Sequence, residues 1–353
     1  ISWTLLCMAG SRVPHPDVAM RPGQDQPLPR SRRHGIGLCL SGGGFRASLF
    51  HLGALRRLNE TGILARADFK TITSVSGGSI TAAQLAAALA RSHSQKGPIP
   101  ADEWEKPRRD PLREFTRKDA RTGPFLKRFR PWNLWKTETT VNALAERYEK
   151  ELTPLRLKEL PERPAFLFLA TDMAWGVSWA FTRDWMGDYQ AGYMPPPADF
   201  PVAKAIAASA CFPPLFSPMR LRLNPEDLKQ GSAPKGKHRH ACLSDFRLTD
   251  GGDYDNMGLE PVWKSHAVVL VSDAGGLFTQ ASDRGLLWRI PRYQAIQERQ
   301  ARALRKRWLI ASFSQGTLDG TYWGVGSSPS HYEDGVAFPG YSKELARETI
   351  AER

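Results

Sequence analysis

One serine, Ser76, lies at a junction of residue types that could form a nucleophilic site. Residues 71–75 before it are uncharged and mostly β-branched, which is typical of a buried strand. Residues 80–89 after it are rich in alanine and leucine, which favours a helix. A strand, a sharp turn carrying serine and a helix make up a nucleophile elbow, in which the hydroxyl stands clear of the sheet. The alternative is a serine that caps the helix of an ordinary turn.

Small residues surround this serine, as a tight elbow requires. Ser74, Gly77 and Gly78 would let the strand and the helix pass close to each other. The N-terminus of the helix would also favour developing negative charge. Ser74 replaces the first glycine of the usual G-x-S-x-G pattern, so the motif is S-x-S-x-G. By itself this stretch leaves both interpretations open.

The triple glycine Gly42–Gly44 is a second candidate segment, and it follows the apolar residues 36–40. Glycines that open a helix can present backbone N–H groups, which suits the stabilisation of an oxyanion. A phosphate-binding loop would need Gly-Lys-Ser/Thr next, and a dinucleotide-binding loop would need G-x-G-x-x-G. Residues 45–47 supply neither. A plain tight turn stays open as the alternative, with Arg46 as a solvated residue or an anchor of the loop.

Asp250 is the candidate base. It precedes Gly251 and Gly252, so a constrained turn would project its carboxylate, although an isolated Asp-Gly is usually only a turn. Paired with Ser76, it could act directly as the base of a Ser–Asp dyad. A triad would need a histidine. We expect each histidine to be structural or solvated, because none lies in a motif typical of a catalytic histidine. The chain has eight: His15, His34, His51, His93, His238, His240, His266 and His331.

The elements that would position these residues follow one another as strand–turn–helix units. Residues 36–40 and 71–75 predict two strands, each followed by a glycine-containing turn and a helix. Two successive units indicate a parallel sheet with helical crossovers, and the candidate loops would meet at the carboxyl ends of its strands. The first helix carries an apolar stripe of Leu49, Leu52, Leu55 and Leu58. Further strands are predicted at 165–171, 176–181, 248–250 and 266–272, helices at 140–152, 202–209 and within 284–307, and a polar loop at 229–240.

Length and composition limit the function classes. With 353 residues and 41% hydrophobic content, the chain could form one large α/β domain or two small ones. The formal charge of +13 predicts attraction to anionic surfaces, either lipid headgroups or nucleic acid. No apolar run approaches the roughly 18 residues that a membrane span needs. The cysteines lie far apart without a CxxC pair, which argues against a metal site or a disulfide framework and favours a reducing compartment. They are Cys7, Cys39, Cys211 and Cys242.

In their order and spacing, several segments together resemble the patatin-like phospholipase family of bacterial type. The segments are 38–46, 74–79 and 250–258, with 207–214 and 272–276 as further matches. The resemblance covers roughly residues 35–350. Two positions depart from the family pattern: Ser74 replaces a glycine of the elbow, and Ala47 stands where many members have glycine. Both substitutes are small, so we expect the geometry of the site to survive.

The resemblance implies a three-layer α/β/α fold with a mostly parallel central sheet. It implies hydrolysis of a lipid ester through an acyl-enzyme, as in a phospholipase A or a lysophospholipase, without a metal or a cofactor. The alternative is a catalytically idle member of the fold that binds membranes or other partners. The site residues that it implies are Ser76 as nucleophile, Asp250 as dyad partner, Gly42, Gly43 and Gly44 as oxyanion hole, and Arg46, Gly77 and Gly251 as supporting residues.

Outside the core, residues 1–34 are predicted to be an irregular lead-in to a domain of residues 35–353, with a basic insertion at about 92–136. Within the insertion, residues 125–136 interleave aromatic and basic side chains. This composition suits a lipid interface, a nucleic-acid contact or inward packing of a cap. The basic run within 299–307 is expected to be a solvated helix face. Given the resemblance, we expect a lipid ester substrate, peripheral contact with an anionic membrane surface and no nucleic acid.

Both ends of the sequence suggest an incomplete chain. A cytoplasmic or peripheral membrane location is expected, and secretion stays open because the sequence does not begin with Met. Residues 343–353 predict an amphipathic helix without a stop signal. We expect this helix to be poorly anchored, because part of its partner would lie beyond the last residue.

Overall fold

The computed structural model describes residues 33–91, 99–100, 104, 110–117, 139–213, 216–276, 282–283 and 285–327. Several predictions fall on other residues. The lead-in over 1–34, except for its last two residues, most of the insertion at 92–136 with its segment 125–136, and the helix at 343–353 lie outside the described ranges.

Strands and helices alternate along the described chain. The strands are β1 (Ile36–Leu40), β2 (Phe69–Val75), β3 (Ala165–Asp172), β4 (Val177–Phe181), β5 (Met186–Asp188), β6 (Gly192–Met194), β7 (Met219–Leu221), β8 (Phe246–Asp250), β9 (Val268–Asp273) and β10 (Asp319–Gly324). The α-helices are α1 (Gly44–Glu60), α2 (Gly77–Arg91), α3 (Asp110–Arg117), α4 (Thr139–Glu151), α5 (Val202–Ser209), α6 (Lys237–Ser244), α7 (Gly252–Asp255), α8 (Glu260–Trp263) and α9 (Leu286–Ser314).

One sheet of ten strands joins these elements in the order β10-β9-β1-β2-β3-β4-β5-β6, with β7 and β8 branching from β3. The strands from β10 to β3 are parallel to one another. From β3 to β6 the pairing is antiparallel. The parallel part contains both strand–turn–helix units, as the sequence predicts.

Helices cover both faces of the sheet. Along β1, Leu38 and Leu40 belong to a large core cluster that also includes Leu52 of α1 and Leu85 of α2. Cys39 points to the other face, because side chains alternate along a strand. There it packs in a second cluster, with members from β9, α8 and α9 that include Val269, Val262 and Leu309. The predicted arrangement of a mostly parallel sheet between layers of helices is confirmed.

Strands β2 and β8 meet end to end on the same edge of β3. The last pair between β2 and β3 joins Val75 to Leu169, and β8 continues at the next residue of β3 with Asp250 opposite Ala170. Strand β4 occupies the other edge of β3 along this length. Because β8 runs antiparallel to β3, its carboxyl end faces the carboxyl end of β2.

This pairing explains how the two candidate loops meet. The Asp250 loop does follow the carboxyl end of its strand, but that strand enters the sheet in the opposite direction to β1 and β2. The two carboxyl ends meet because β3 extends beyond β2 and leaves an edge that β8 fills. Residues 75 and 250, which are far apart in sequence, therefore become neighbours across adjacent residues of β3.

Two local predictions were inaccurate, and the insertion shows one helix that the sequence did not reveal. Leu49 is 42% exposed, so the apolar stripe of α1 begins at Leu52 rather than at Leu49. The predicted polar loop at 229–240 ends in a helix, because α6 starts at Lys237. The insertion contains the short helix α3, in which Leu112 and Phe115 are buried. Within the described ranges, no helix has the length and hydropathy of a membrane-spanning segment.

Candidate active site

Ser76 occupies a strained turn between β2 and α2. Its φ angle is 49°, in the left-handed region that residues other than glycine rarely adopt. Ser79 N–H donates to the carbonyl of Ser76 over 2.9 Å, which closes the turn into the helix. A Cβ atom at Gly77 would lie 2.1 Å from the carbonyl oxygen of Gly44, so only glycine allows the elbow to touch the glycine loop. These contacts produce the elbow that the sequence predicts.

Asp250 lies beside this serine, at the junction of β2 and β8. Its carboxylate accepts hydrogen bonds from the Ser76 side chain and from the Gly252 amide, the latter over 2.7 Å. The side chain is buried, and burial raises the pKa of Asp250 to about 7, although the hydrogen bonds from Gly252 and Ser76 oppose this shift. Nearby Asp253 and Glu298 raise the pKa further. A buried carboxylate with this pKa can accept a proton near neutral pH.

The glycine loop is held against the site from two sides. Gly43 has a φ of 145°, and a Cβ atom there would lie 2.3 Å from the carbonyl oxygen of Ala274. Arg46 Nη2 donates to that same oxygen over 3.0 Å, so Arg46 anchors the loop to the end of β9. Gly43 and Gly44 line the cavity beside Ser76, and neither amide donates a hydrogen bond to a described residue.

Gly42 has a different role from that of oxyanion donor, which the sequence suggests. Its N–H donates to the carbonyl of Asn256 over 2.9 Å, so this amide is already used and cannot serve as an oxyanion donor. A Cβ atom at Gly42 would lie 2.2 Å from Asn256 Oδ1 and 3.3 Å from Ser76 Cβ. Gly42 thus permits close packing behind the site. Gly43, Gly44 and Gly77 line the cavity together with Ser76.

Ser209, at the end of α5, holds the elbow and the aspartate loop together. Its Oγ accepts from the Ser76 N–H over 2.9 Å and donates to the carbonyl of Leu169 over 2.6 Å. Its carbonyl accepts from the Gly251 N–H over 3.3 Å. A Cβ atom at Gly251 would lie 2.3 Å from the Leu169 carbonyl oxygen, so this position also needs glycine.

Sequence reasoning did not assign Ser209 or Asn256 to the site. Both lie within segments that carry the family resemblance, 207–214 and 250–258, and this membership was the available signal. Neither residue type indicates such a role by itself, because a serine or an asparagine near a helix end is usually a cap. Their importance depends on hydrogen bonds across the fold, which the local sequence does not specify.

A cavity of about 290 Å³ opens onto Ser76 and Asp250. Its polar part contains Asn256 and Glu298. Its apolar part is formed by Phe45, Ile80, Leu144, Tyr148, Ala210, Phe212 and Phe216. Behind this wall, Phe115 of α3 packs against Phe45 and Tyr148, with ring centroids 5.6 and 5.8 Å apart. The described helix of the insertion therefore supports the apolar side of the cavity.

None of the five histidines within the described ranges lines this cavity. His51 is buried, with Nε2 donating to the Ser41 carbonyl over 2.9 Å and Nδ1 accepting from the Ser272 hydroxyl over 2.8 Å. Burial lowers its pKa to about 4, so it is neutral and ties α1 to the ends of β1 and β9. His266 is buried beside Thr71, and burial likewise lowers its pKa to about 4. His15, His93 and His331 lie outside the described residues.

The described cysteines Cys39, Cys211 and Cys242 are free thiols. Cys39 and Cys211 are buried, and burial raises the pKa of each thiol. In the part of the chain that the structure describes, no cluster of three or more histidine, cysteine or acidic residues could hold a metal ion.

The order of these elements matches a known family. The model of the family described as Patatin-like phospholipase matches residues 38–263, which is more than half of the chain. The chain belongs to the patatin-like phospholipase family. The match includes the glycine loop, the elbow at Ser76, the α5 segment with Ser209 and the turn at Asp250. A comparison with curated protein sequences found no match.

Solved structures give a more distant likeness. Human GIVD cytosolic phospholipase A2 matches with 13% identity and a TM-score of 0.38, over 72% of this chain and 44% of that one. A second structure of the human protein, in complex with methyl gamma-linolenyl fluorophosphonate, matches with 17% identity and a TM-score of 0.37, over 72% and 41%. VipD from Legionella pneumophila matches with 15% identity and a TM-score of 0.32, over 86% and 64%. This chain thus spans less than half of the human structures.

Proposed function

We propose that this protein is a serine lipid acyl hydrolase, a carboxylic ester hydrolase of the phospholipase A or lysophospholipase type. Ser76 is the nucleophile, Asp250 is its base, and the amides of Gly43, Gly44 and Gly77 form the oxyanion hole. The observation that carries the proposal is the hydrogen bond from Ser76, in a strained elbow, to the buried carboxylate of Asp250 at the floor of a cavity.

The first half of the reaction transfers the acyl group. Asp250 takes the proton of the Ser76 hydroxyl while Oγ attacks the ester carbonyl carbon. The amides of Gly43, Gly44 and Gly77 stabilise the negative charge on the carbonyl oxygen, helped by the N-terminus of α2. The C–O bond of the ester then breaks, and the departing alcohol takes the proton from Asp250. Ser76 keeps the acyl group as an ester.

The second half of the reaction releases the acid. Asp250, again ionised, takes a proton from water, and the resulting hydroxide attacks the acyl-enzyme carbonyl. The same amides stabilise the second oxyanion. Breaking the bond to Ser76 Oγ returns the proton from Asp250 to the serine and frees the carboxylic acid. No other proton donor is needed, because a pKa of about 7 lets Asp250 gain and lose a proton near neutral pH.

The lining of the cavity supports a lipid ester as the substrate. Apolar side chains form one side, among them Phe45, Ile80 and Phe216, and this surface suits an acyl chain. Phe212 lines the cavity and is also 42% exposed, so the apolar lining continues to the mouth. The proposal also includes a single patatin-like domain over residues 35–353. Its insertion at about 92–136 would support the cavity through Phe115.

Labelling with a fluorophosphonate probe tests the proposal. We expect the wild-type protein to be labelled, and Ser76→Ala to abolish labelling because the nucleophile is lost. Ser244→Ala is the matched control, since Ser244 is exposed on α6 and should leave labelling unchanged. Labelling that survives in Ser76→Ala would place the nucleophile elsewhere. A folded wild-type protein that is neither labelled nor active on lipid esters would favour the idle, membrane-binding alternative.

A further inference from the structure

The long helix α9 carries most of the exposed large hydrophobic side chains among the described residues. Of ten such side chains, six lie on this helix: Ile290, Tyr293, Ile296, Leu304, Trp308 and Ile310. Three of the six are at least 60% exposed, namely Ile290, Tyr293 and Leu304. Isolated exposed hydrophobic residues are ordinary, but a concentration on one element indicates an interaction surface.

Four of these side chains form a stripe along the helix. At 3.6 residues per turn, Ile290, Tyr293, Leu304 and Trp308 fall within an arc of about 60°. The stripe extends about 27 Å from residue 290 to residue 308, at 1.5 Å per residue. Seven basic residues lie on the helix and Glu298 is its sole acidic residue. Arg307 is exposed and lies about 40° from the edge of the stripe, whereas Arg289, at the same angle, is ion-paired with Asp283.

The opposite side of α9 faces the candidate active site. Glu298 lines the cavity with Ser76, and Arg302 Nη2 donates to the carbonyl of Gly276, another lining residue, over 3.0 Å. Further along, Arg305 forms an ion pair of 2.8 Å with the buried Asp255. The inner side is therefore fixed to the rim of the site, and the stripe lies on the exposed face of the same helix.

We propose that this outer face, defined by Ile290, Tyr293, Leu304 and Arg307, is the surface on which the protein lies against an anionic bilayer. An apolar stripe beside cations suits the boundary between headgroups and acyl chains. The formal charge of +13 favours an anionic partner over a second copy of the same basic chain. Nucleic acid would use the cations but not Ile290 and Leu304. The choice of lipid rests on the proposed function.

Co-sedimentation with vesicles tests the apolar stripe. Vesicles with equal parts of phosphatidylcholine and phosphatidylserine should bind the full chain. Ile290→Asp combined with Leu304→Asp should weaken binding by about tenfold or more, since two exposed side chains no longer enter the bilayer. Met173→Asp is the matched control, because Met173 is 52% exposed and lies away from this helix, after β3. It should bind vesicles like the wild type.

Removal of one positive charge tests the contribution of the cations beside the stripe. Arg307→Gln should weaken binding to the same vesicles by about fivefold, the effect of one surface cation on an anionic membrane. Lys158→Gln, an exposed cation elsewhere, should leave binding unchanged. Vesicles of phosphatidylcholine alone should bind weakly, and Arg307→Gln should have no effect on them.

Hydrolysis of a short, water-soluble ester separates this inference from the proposed function. All variants should hydrolyse it at the wild-type rate, with unchanged thermal unfolding, since they leave the cavity intact. Selective loss of vesicle binding would support the surface even if no variant, wild type included, hydrolysed the ester. The inference is overturned if the wild type does not bind the anionic vesicles, or if the aspartate variant binds them as tightly as Met173→Asp. It is also overturned if the aspartate variant mainly loses thermal stability, because another part of the chain would then cover the stripe.

Discussion

Two buried carboxylate sites lie within a few residues of each other on β3 and its partners, and they differ in what they face. Asp250 is paired with Ala170 and opens onto the cavity with Ser76. Asp172, two residues further along β3, is hydrogen-bonded to the carboxyl of Asp188. Burial is the main cause of a raised pKa at all three carboxyls.

The pair of Asp172 and Asp188 is closed to substrate. Asp172 Oδ1 accepts from the Ala174 amide, and Asp188 Oδ1 accepts from the amides of Gln190 and Ala191 over 2.8 and 2.7 Å. The other oxygen of each carboxyl has no hydrogen bond from an amide or hydroxyl among the described residues, so we expect the two carboxyls to share one proton. Neither residue lines the cavity of Ser76. We therefore expect the shared proton to stabilise the fold and to take no part in the reaction.

The contrast shows that a raised pKa does not by itself identify a catalytic carboxylate. Asp250 differs from the pair because a hydroxyl in a strained turn donates to it and because a cavity brings substrate to that hydroxyl. Burial sets the proton affinity at both sites, while the neighbouring groups decide how the proton is used.

The strongest test of this contrast is loss of activity. Ser76→Ala and Asp250→Asn should each lower kcat for ester hydrolysis by about 10⁴-fold, and the double variant should be little worse, because the two residues act as one unit. Asp188→Asn is the matched control and should stay within about tenfold. A histidine variant that lost as much as Asp250→Asn would overturn the dyad in favour of a triad.

The oxyanion loop should tolerate a side chain poorly. Gly43→Val should lower kcat by about 10²–10³-fold, since a Cβ atom would push the loop away from Ala274 and remove one donor. Gly53→Ala, on α1 with open space around its Cβ position, should keep full activity and gain about 0.5–1 kcal/mol of stability. Steady-state kinetics with thermal unfolding of both variants measure this difference. Full activity in a folded Gly43→Val protein would exclude the loop as oxyanion hole.

The pH dependence of kcat/KM should follow Asp250. The base must be ionised, so activity should rise with pH through about 7 and be lost below it. Asp253 and Glu298 raise the pKa of Asp250, so Asp253→Asn and Glu298→Gln should each move the midpoint to lower pH. Asp188→Asn should leave the midpoint in place. An unmoved midpoint in both active-site variants would show that another group titrates.

The smallest expected effect concerns stability. Burial raises the pKa of Asp172 and Asp188 in the folded state, so their contribution to stability is complete below the unfolded pKa and is lost as pH rises through the raised values. Asp188→Asn replaces the shared proton with an amide donor. The variant should therefore exceed the wild type at pH 8 by about 1–2 kcal/mol and differ little at pH 4. Urea unfolding at both pH values measures this, and an equal difference at both would refute the shared proton.

Local chemistry made part of the fold and site predictable from the sequence. The strand Ile36–Leu40 and the helix Val202–Ser209 have the predicted bounds, because apolar runs between turn residues mark elements clearly. The tight turn at Ser76 was predictable from the small residues around it, whereas its positive φ and the contact of Gly77 with Gly44 are known only from the structure.

Features that depend on pairing between distant segments could not be predicted. The direction of β8 follows from the free edge that β3 offers beyond β2, and no local pattern encodes it. Gly42 resembles its two neighbours in sequence, yet its amide bonds to Asn256. The pair of Asp172 and Asp188 likewise comes together only through the antiparallel strands between β3 and β5.

The end-to-end meeting of β2 and β8 makes the order of assembly matter. Ser76 and Asp250 follow or end strands that do not pair with each other, and the pairing of both strands with β3 brings them together. During folding, the elbow can form as soon as β1, β2 and α2 have associated, but it lacks its base until β8 has paired with the end of β3. We therefore expect catalytic activity to appear only after the central sheet is complete, which makes activity a reporter of the last long-range pairing rather than of overall collapse.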